Sequence, residues 1–398
     1  MTKNRKNWVR WCWLSLGESV LLLSCAAAFT VGVDPLQIYH PVSTGRPILD
    51  VRLQRFYVPG LARTSDYQIA VLGTSMLQNI PNSAVQRLCG GPAVNLCMAG
   101  ASIHEEAAAL AWALKHAGTK TVIATLDYNS LSGGPIGQVV GVHLAFPEYL
   151  YSGTLFDKGP YLLSWDSLEE AIHVLKGNPD PGETANSDWP WKFPDSMKFQ
   201  ARSAVSGVDP ADINKKYKMT NLKLEAMEAA FADNIFPVLA DGKGVRIHFV
   251  FPPYSILAWH DFAQRGQISV YFAFKKWLIA QSRRYPQFDV VDFQDRADVI
   301  TNMSRYADVY HSDERMDEEM VQAACHGGQV LNDSNFESRT QSLLHLVEST
   351  DPARIVKAAA IGEADSSSAI TQLPWLPGGR WNKQDALGSH ATVTEPRP

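Results

Sequence analysis

Five short apolar runs, separated by helical patterns, constrain this chain more than any other feature. Residues 68–72, 93–96, 121–126, 245–251 and 288–293 are rich in Val, Ile, Leu and Phe. Two of them stop at turn residues, Gly73 and Pro252-Pro253. Brief runs that are apolar throughout read as strands buried on both faces. Between them, residues 103–117, 221–239 and 268–283 carry apolar side chains at helical spacing. Strands alternating with helices predict an α/β domain, a parallel sheet between helices. The third and fourth runs lie much further apart than an ordinary crossover allows, so residues 130–217 are expected as an inserted helical lid. It holds Trp165, Trp189 and Trp191, which read either as a satellite core or as a platform for sugar rings, with Trp189 and Trp191 the candidate substrate contacts. The domain is expected over 66–350, with a linker at 34–65. Residues 351–398, rich in Ser, Gly and Pro towards the end, are expected as a disordered tail in which Trp375 and Trp381 are the groups able to dock.

The N-terminus bears on compartment. Lys3, Arg5, Lys6 and Arg10 form a basic flank without an acid, and residues 11–33 follow with one charge, Glu18. The run exceeds the ~20 apolar residues that span a bilayer. A carboxylate is costly at mid-membrane but less so nearer an interface. A basic flank stays cytoplasmic, which puts everything after Val33 outside. An uncleaved anchor, and so a single-pass protein, fits the run as it stands. A cleaved signal peptide could use Ala26-Ala27-Ala28, but the uninterrupted apolar run before it, 20–23, is short. Leu22-Leu23-Ser24-Cys25 approximates a lipobox, but the apolar sequence after Cys25 does not suit a mature lipoprotein. The plain alternative is a buried helix of a soluble protein.

The formal charge is −5, and no basic block lies beyond the N-terminus. This argues against a general nucleic-acid binder, which needs a basic face to displace counterions. The cysteines, Cys12, Cys25, Cys89, Cys97 and Cys325, are too scattered for a zinc module or a disulfide framework. Cys89 and Cys97 could pair outside the cell, but a helix end and a strand are poor places to bring two Cα atoms within bonding range.

The first strand delivers the chain into Gly73-Thr74-Ser75. In open α/β sheets, ligands bind outside the carboxyl ends of the strands. A serine there, with a helix expected to follow, combines an exposed hydroxyl with a backbone N–H able to receive an oxyanion. The alternative is a serine that only caps the helix. Asp308 and His311 lie after the fifth strand, before an expected helix at 313–324. Ser75 needs a general base, and a histidine base needs a carboxylate on its other nitrogen. Asp-x-x-His is a common spacing, and its placement opposite Gly-x-Ser gives it weight. Gly100, after the second strand, offers a backbone N–H to a reacting carbonyl. Asn129, after the third, could complete an oxyanion hole or simply form a turn. Ser102, in Gly100-Ala101-Ser102, is a rival nucleophile. His104-Glu105 lacks the second histidine of a zinc helix, and His40, His143 and His260 have no partners at ligand spacing. Gly133-Gly134-Pro135-Ile136-Gly137 is interrupted by proline, and no Walker lysine occurs. No metal and no cofactor are expected.

Gly-x-Ser after strand one, Gly after strand two, a polar end to strand three and Asp-x-x-His before the last helix together resemble the SGNH/GDSL hydrolase superfamily. The chain is similar, more closely, to membrane-anchored SGNH-like proteins of bacterial exopolysaccharide modification, relatives of the alginate O-acetyltransferase subunits. Asp34-Pro35, Phe251-Pro252-Pro253-Tyr254 and Asp292-Phe293 add to the likeness, which covers roughly residues 34–324. It implies a flavodoxin-like five-stranded sheet on the outer side of a bacterial inner membrane. It also implies Ser75 as nucleophile, His311 as base, Asp308 as its orienter, and Gly100 and the Ser75 amide as oxyanion donors. Expected partners are a polysaccharide or other acyl-ester substrate, the membrane, and a membrane-bound acyl donor. Two departures stand out: Thr74 occupies a position that is usually Asp, and Leu126-Asp127-Tyr128-Asn129 replaces a Gly-x-Asn-Asp block. The departures leave open a non-catalytic glycan-binding or assembly subunit on the same fold. An unrelated flavodoxin-like binding module is a further alternative.

Overall fold

The computed structural model describes residues 2–42, 49, 53–131, 146–153, 156–176, 188–208, 222–240, 242 and 244–361. In chain order it begins with α1 (Thr2–Val33), α2 (Gln54–Thr64), β1 (Ile69–Leu72), α3 (Asn82–Cys89), β2 (Ala93–Asn95), α4 (Ile103–Lys115), β3 (Thr121–Thr125) and α5 (Tyr128–Leu131). Next come α6 (Glu148–Tyr151), α7 (Gly159–Leu163), α8 (Trp165–Lys176), α9 (Ala201–Ala204), α10 (Leu224–Leu239) and β4 (Arg246–Phe251). The last elements are α11 (Ile256–Gln264), α12 (Ile268–Arg284), β5 (Phe288–Asp292), α13 (Ala297–Ile300), α14 (Glu314–His326), α15 (Phe336–Ser349) and α16 (Pro352–Ile361). Two compact units result: α1, α2 and α6–α8 form one, and the remaining elements the other.

The five apolar runs are the five strands, each shorter by one residue at one end. They form one parallel sheet in the order β2-β1-β3-β4-β5. Val71 of β1 faces Asn95 on one side and Ile123 on the other. The connection from β1 to β2 therefore runs one way across the sheet, and the later connections run the other way. The reversal falls between the carboxyl ends of β1 and β3, the place where open parallel sheets leave a crevice. Helix α10 packs on α4 and α12, and α3 packs on α14. Phe231 of α10 meets Phe249 of β4 at 5.2 Å and Phe274 of α12 at 6.2 Å, edge to face. Ser102 caps α4: its Oγ accepts from Glu105 N at 3.4 Å, and the Glu105 carboxylate accepts from Ser102 N at 2.8 Å.

A buried ion pair ties α12 to the end of β5. Lys275 Nζ donates to Asp292 Oδ2 at 2.7 Å, and burial lowers the lysine's pKa while Asp292 opposes that shift. Asp292 Oδ1 accepts from Gln294 N, Gln294 Nε2 donates to Pro252 O, and Gln294 Oε1 accepts from Tyr128 OH at 2.8 Å.

In the other unit α1 is long and apolar enough to cross a membrane over Asn7–Val33, with a mean hydropathy of 1.8. Asp34 closes it. Its carboxylate accepts from the N–H groups of Ile38, Tyr39 and His40 at 2.6–3.0 Å and from Tyr161 OH at 2.7 Å. Segment 34–65, expected as a linker, holds α2, whose Tyr57 is buried and donates to Glu170 of α8 at 2.8 Å. The interval 130–217 does not hold together as one insertion. Its helices α6–α8 belong with α1, while 188–208 belongs with the sheet. Residues 132–145, 154–155, 177–187 and 209–217 lie outside the described residues. Part of the expected tail is ordered, because α16 buries Ile355, Val356 and Ala359. Trp375 and Trp381 lie outside the described residues.

Cys89 does not pair with Cys97. It forms a disulfide with Cys325, at the end of α14, with Cα atoms 5.5 Å apart and 236 residues between them in sequence. Cys97 is buried, and burial pushes its thiol pKa up. Because so long a loop is closed, replacing both Cys89 and Cys325 by Ser is expected to cost about 2–4 kcal/mol of stability. Thermal denaturation with and without reductant measures this. Reductant should lower the midpoint of the native protein and leave that of the double variant unchanged.

Candidate functional site

Gly73 ends β1 with φ +123°, a conformation that side chains rarely adopt. A Cβ there would overlap Thr125 Oγ1 and lie 3.0 Å from Thr125 N. The chain then turns through Thr74 and Ser75. The expected helix does not start at Ser75, because α3 begins only at Asn82. Ser75 is therefore neither a cap nor at a helix N-terminus.

Thr74 is buried. Its Oγ1 accepts from Met76 N at 3.3 Å and donates to Asp127 Oδ2 at 3.4 Å. Asp127 Oδ1 accepts from Tyr254 OH at 2.9 Å and from Asn129 N at 2.8 Å. Burial, and next the Asp127 charge, pushes the Tyr254 phenol well above its ordinary value, so it remains a donor. Glu106 in the first turn of α4 is also pushed well up, by burial first and Asp127 second.

Ser75 Oγ lies 2.8 Å from His311 Nε2, and His311 Nδ1 lies 2.6 Å from Asp308 Oδ2. Asp308 Oδ1 accepts from the backbone N–H of Tyr310 and of His311, both at 2.8 Å, which forms an Asx turn. The loop is closed by Ala307 N donating to His311 O at 2.9 Å. The segment after β4 supports it from below: Tyr306 OH donates to Pro253 O at 2.9 Å, and Ser255 N donates to Val309 O at 3.1 Å. Burial would raise the Asp308 pKa, but His311 and the two backbone donors outweigh it, and the carboxyl is held below its ordinary value. Burial would lower the His311 pKa, but Asp308, and after it Asp127, carry the net shift upward.

The structure thus joins Ser75, His311 and Asp308 in one chain of hydrogen bonds. Gly100 and Asn129 border the same edge of the sheet, beyond the ends of β2 and β3, but are not members of that chain. Gly100 has φ +61° and is exposed. Among the described residues neither Ser75 N–H nor Gly100 N–H is committed to a hydrogen bond. Asn129 is exposed, and its own N–H anchors the turn on Asp127. Ser102, the rival nucleophile, is the α4 cap. Trp191, expected as a sugar contact, is 0 % exposed and donates from Nε1 to Asn95 O at 2.9 Å, so its ring is closed to a ligand. Trp189 is half-buried, with Lys192 Nζ 5.3 Å from the ring centre.

Sequence reasoning missed Phe193, whose ring meets the His311 ring edge to face at 5.6 Å. Phe193 is held there because its N–H donates to Asn79 Oδ1 at 2.9 Å. Asp188 fixes the start of the same segment by accepting from Ser83 N and Oγ, each at 2.7 Å. No periodic signal marks this segment. Asp127 carried a different signal, an acid immediately after the apolar run 121–126. Among the described residues no group of His, Cys, Asp and Glu is placed to hold a metal ion.

No protein-family model matches the chain, and no curated protein matches it.

The electrostatics of the loop make a prediction. Titrated by NMR, His311 should lose its proton above pH 6.5, and Asp308→Asn should move that midpoint down. A midpoint at or below 6.5 that Asp308→Asn leaves in place would contradict the proposed coupling.

Proposed function

We propose that this protein is an exported, membrane-tethered acyl-ester enzyme of the SGNH type, acting on an envelope or secreted polysaccharide. The observation that carries the reading is the Ser75–His311–Asp308 chain of hydrogen bonds at the carboxyl edge of a parallel sheet. The strand order, β2-β1-β3-β4-β5, is that of flavodoxin-like folds and agrees with it.

In this reading His311 Nε2 takes the Ser75 proton as Oγ attacks the acyl carbonyl, and Asp308 holds the tautomer and balances the imidazolium. The uncommitted N–H groups of Ser75 and Gly100 are the candidate oxyanion donors, with Asn129 as a further one. Collapse of the tetrahedral intermediate breaks the bond to the original alcohol, whose oxygen leaves with the proton from His311, and the acyl group stays on Ser75; water or a sugar hydroxyl then removes it with the neutral His311 again as base. Thr74, where these hydrolases usually carry Asp, is accounted for by its bond to Asp127, which fixes the Ser75 turn from the side. Trp189 remains the aromatic candidate for sugar contact.

Export is supported by α1 with its basic flank, which keeps the N-terminus cytoplasmic, and by the Cys89–Cys325 disulfide, a bond at home in oxidising compartments. A reporter active only in the cytoplasm and fused at Gly90 should be silent.

Turnover of p-nitrophenyl acetate by variants of matched thermal stability tests the chemistry. Ser75→Ala and His311→Ala should each lower kcat by on the order of 10⁶-fold, and the double variant by little more, because the members of a triad act as a unit. Asp308→Asn should cost less, on the order of 10⁴-fold. Because only neutral His311 accepts the proton, kcat/KM should rise with pH through the elevated His311 pKa, with its midpoint above pH 6.5. A Ser75→Ala variant as active as the native protein would refute the mechanism. A native protein inactive on every ester yet retaining glycan would favour the assembly-subunit reading.

A further inference from the structure

We propose that α8 is an interfacial helix, lying on the outer surface of the membrane that α1 crosses, with Trp165, Ile172 and Leu175 seated in lipid. The proposal rests on reading α1 as a membrane span and goes beyond it.

On a helical wheel, α8 divides cleanly. Ser167, Ala171 and Val174 face the protein and are buried. Asp166, Glu169, His173 and Lys176 are exposed on the opposite arc. Between these arcs lie Trp165, Ile172 and Leu175, all exposed, Trp165 to 76 %, and Leu163 at the end of α7 extends the strip. Half of the apolar arc is thus satisfied by protein and half is not. Single exposed apolar residues need no explanation, but a continuous strip on an amphipathic helix does.

The position of α8 relative to α1 identifies what covers the strip. Val33, the last residue of α1, packs with Ala171 and Val174, and Thr30 Oγ1 donates to Leu162 O at 3.3 Å. The end of α7 and the middle of α8 therefore lie level with the last turn of α1. The stretch 7–25 of α1 is exposed throughout. Trp8, Trp11 and Trp13 stand at its cytoplasmic end, where an aromatic belt belongs. A core reaching about 30 Å from Trp13 ends near Val33, so the strip of α8 falls at the opposite interface, with Trp165 supplying the second belt. The exposed polar arc carries two acids, Asp166 and Glu169, against one lysine, Lys176, so the strip is held by apolar insertion and not by anionic headgroups.

The test uses the full chain with Cys12→Ser and Cys25→Ser, in which the remaining cysteines are buried or disulfide-bonded. Single cysteines replace Ile172, Leu175, Glu169, His173 or Leu21 and carry an environment-sensitive fluorophore. The proteins are reconstituted into phosphatidylcholine vesicles with or without phosphatidylglycerol. Labels at Ile172 and Leu175 should be quenched several-fold more by a spin label near the lipid headgroup than labels at Glu169 and His173, regardless of anionic lipid. A Leu21 label should respond to a deep spin label. Leu21 quenched by the deep probe, with positions 172 and 175 as open to aqueous iodide as 169 and 173, would overturn the proposal alone. Positions 172 and 175 shielded from both lipid and water would overturn it in favour of a protein partner, including a second copy. An unquenched Leu21 would overturn the span and the proposal together.

Discussion

Gly73, at φ +123°, lets the chain leaving β1 lie against Thr125 at the end of β3, at the carboxyl edge of the sheet. No side chain fits there, since a Cβ would meet Thr125 at its Oγ1 and at its N. That contact sets Thr74 against Asp127, two residues past the end of β3. Asp127 in turn receives Tyr254, beyond β4. The residues flanking Tyr254 carry the loop of His311, through Pro253 O and Ser255 N. Ser75 and His311 are thus both located by the same three strand ends, and their 2.8 Å separation follows from sheet packing.

The same juxtaposition is repeated further from Ser75 and His311. Ser75 and His311 are 236 residues apart in sequence, and so are Cys89 and Cys325, at the ends of the helices that follow each loop. Arg87 with Glu318 at 2.5 Å, and His326 Nε2 to Leu88 O at 2.9 Å, line the same seam between α3 and α14. The exposed ion pair contributes little by itself. The covalent link adds to the packing of α3 on α14.

The strands were legible because a strand buried on both faces announces itself locally, as at 121–126, and Asp308 with His311 were legible because three residues of one turn carry the pair. Ser75 was legible by its place after β1, although the helix expected behind it starts later. What was not legible depends on distance. The partner of Cys89 lies in a helix far along the chain, and no local pattern points to it. Residues 188–208 lack periodicity, so neither the burial of Trp191 nor the position of Phe193 could be read. The division of 130–217 between two units follows from α7 and α8 packing on α1, a contact that only the folded chain creates. The helical face of α8 is written in its sequence, but its half-satisfied apolar arc becomes visible only once Val33 is seen against Ala171 and Val174.

The acids buried in this unit show what distinguishes Asp308. Glu106 and Asp317 are pushed well above the carboxylate range, in each case by burial first and by neighbouring acids next. Asp308 meets the same penalty and goes the other way. The difference lies in pre-placed donors: Asp308 accepts from two backbone N–H groups and from the His311 ring, whereas Glu106 Oε1 has no partner among the described residues. His311 is the first cause of the lowering, and the two backbone donors add to it, so the carboxylate is held charged beside the imidazole ring. A charged Asp308 keeps the ring proton on Nδ1 and leaves the Nε2 lone pair facing Ser75 Oγ. The orientation of the His311 ring toward Ser75 is therefore set by the Asx turn of residues 308–311.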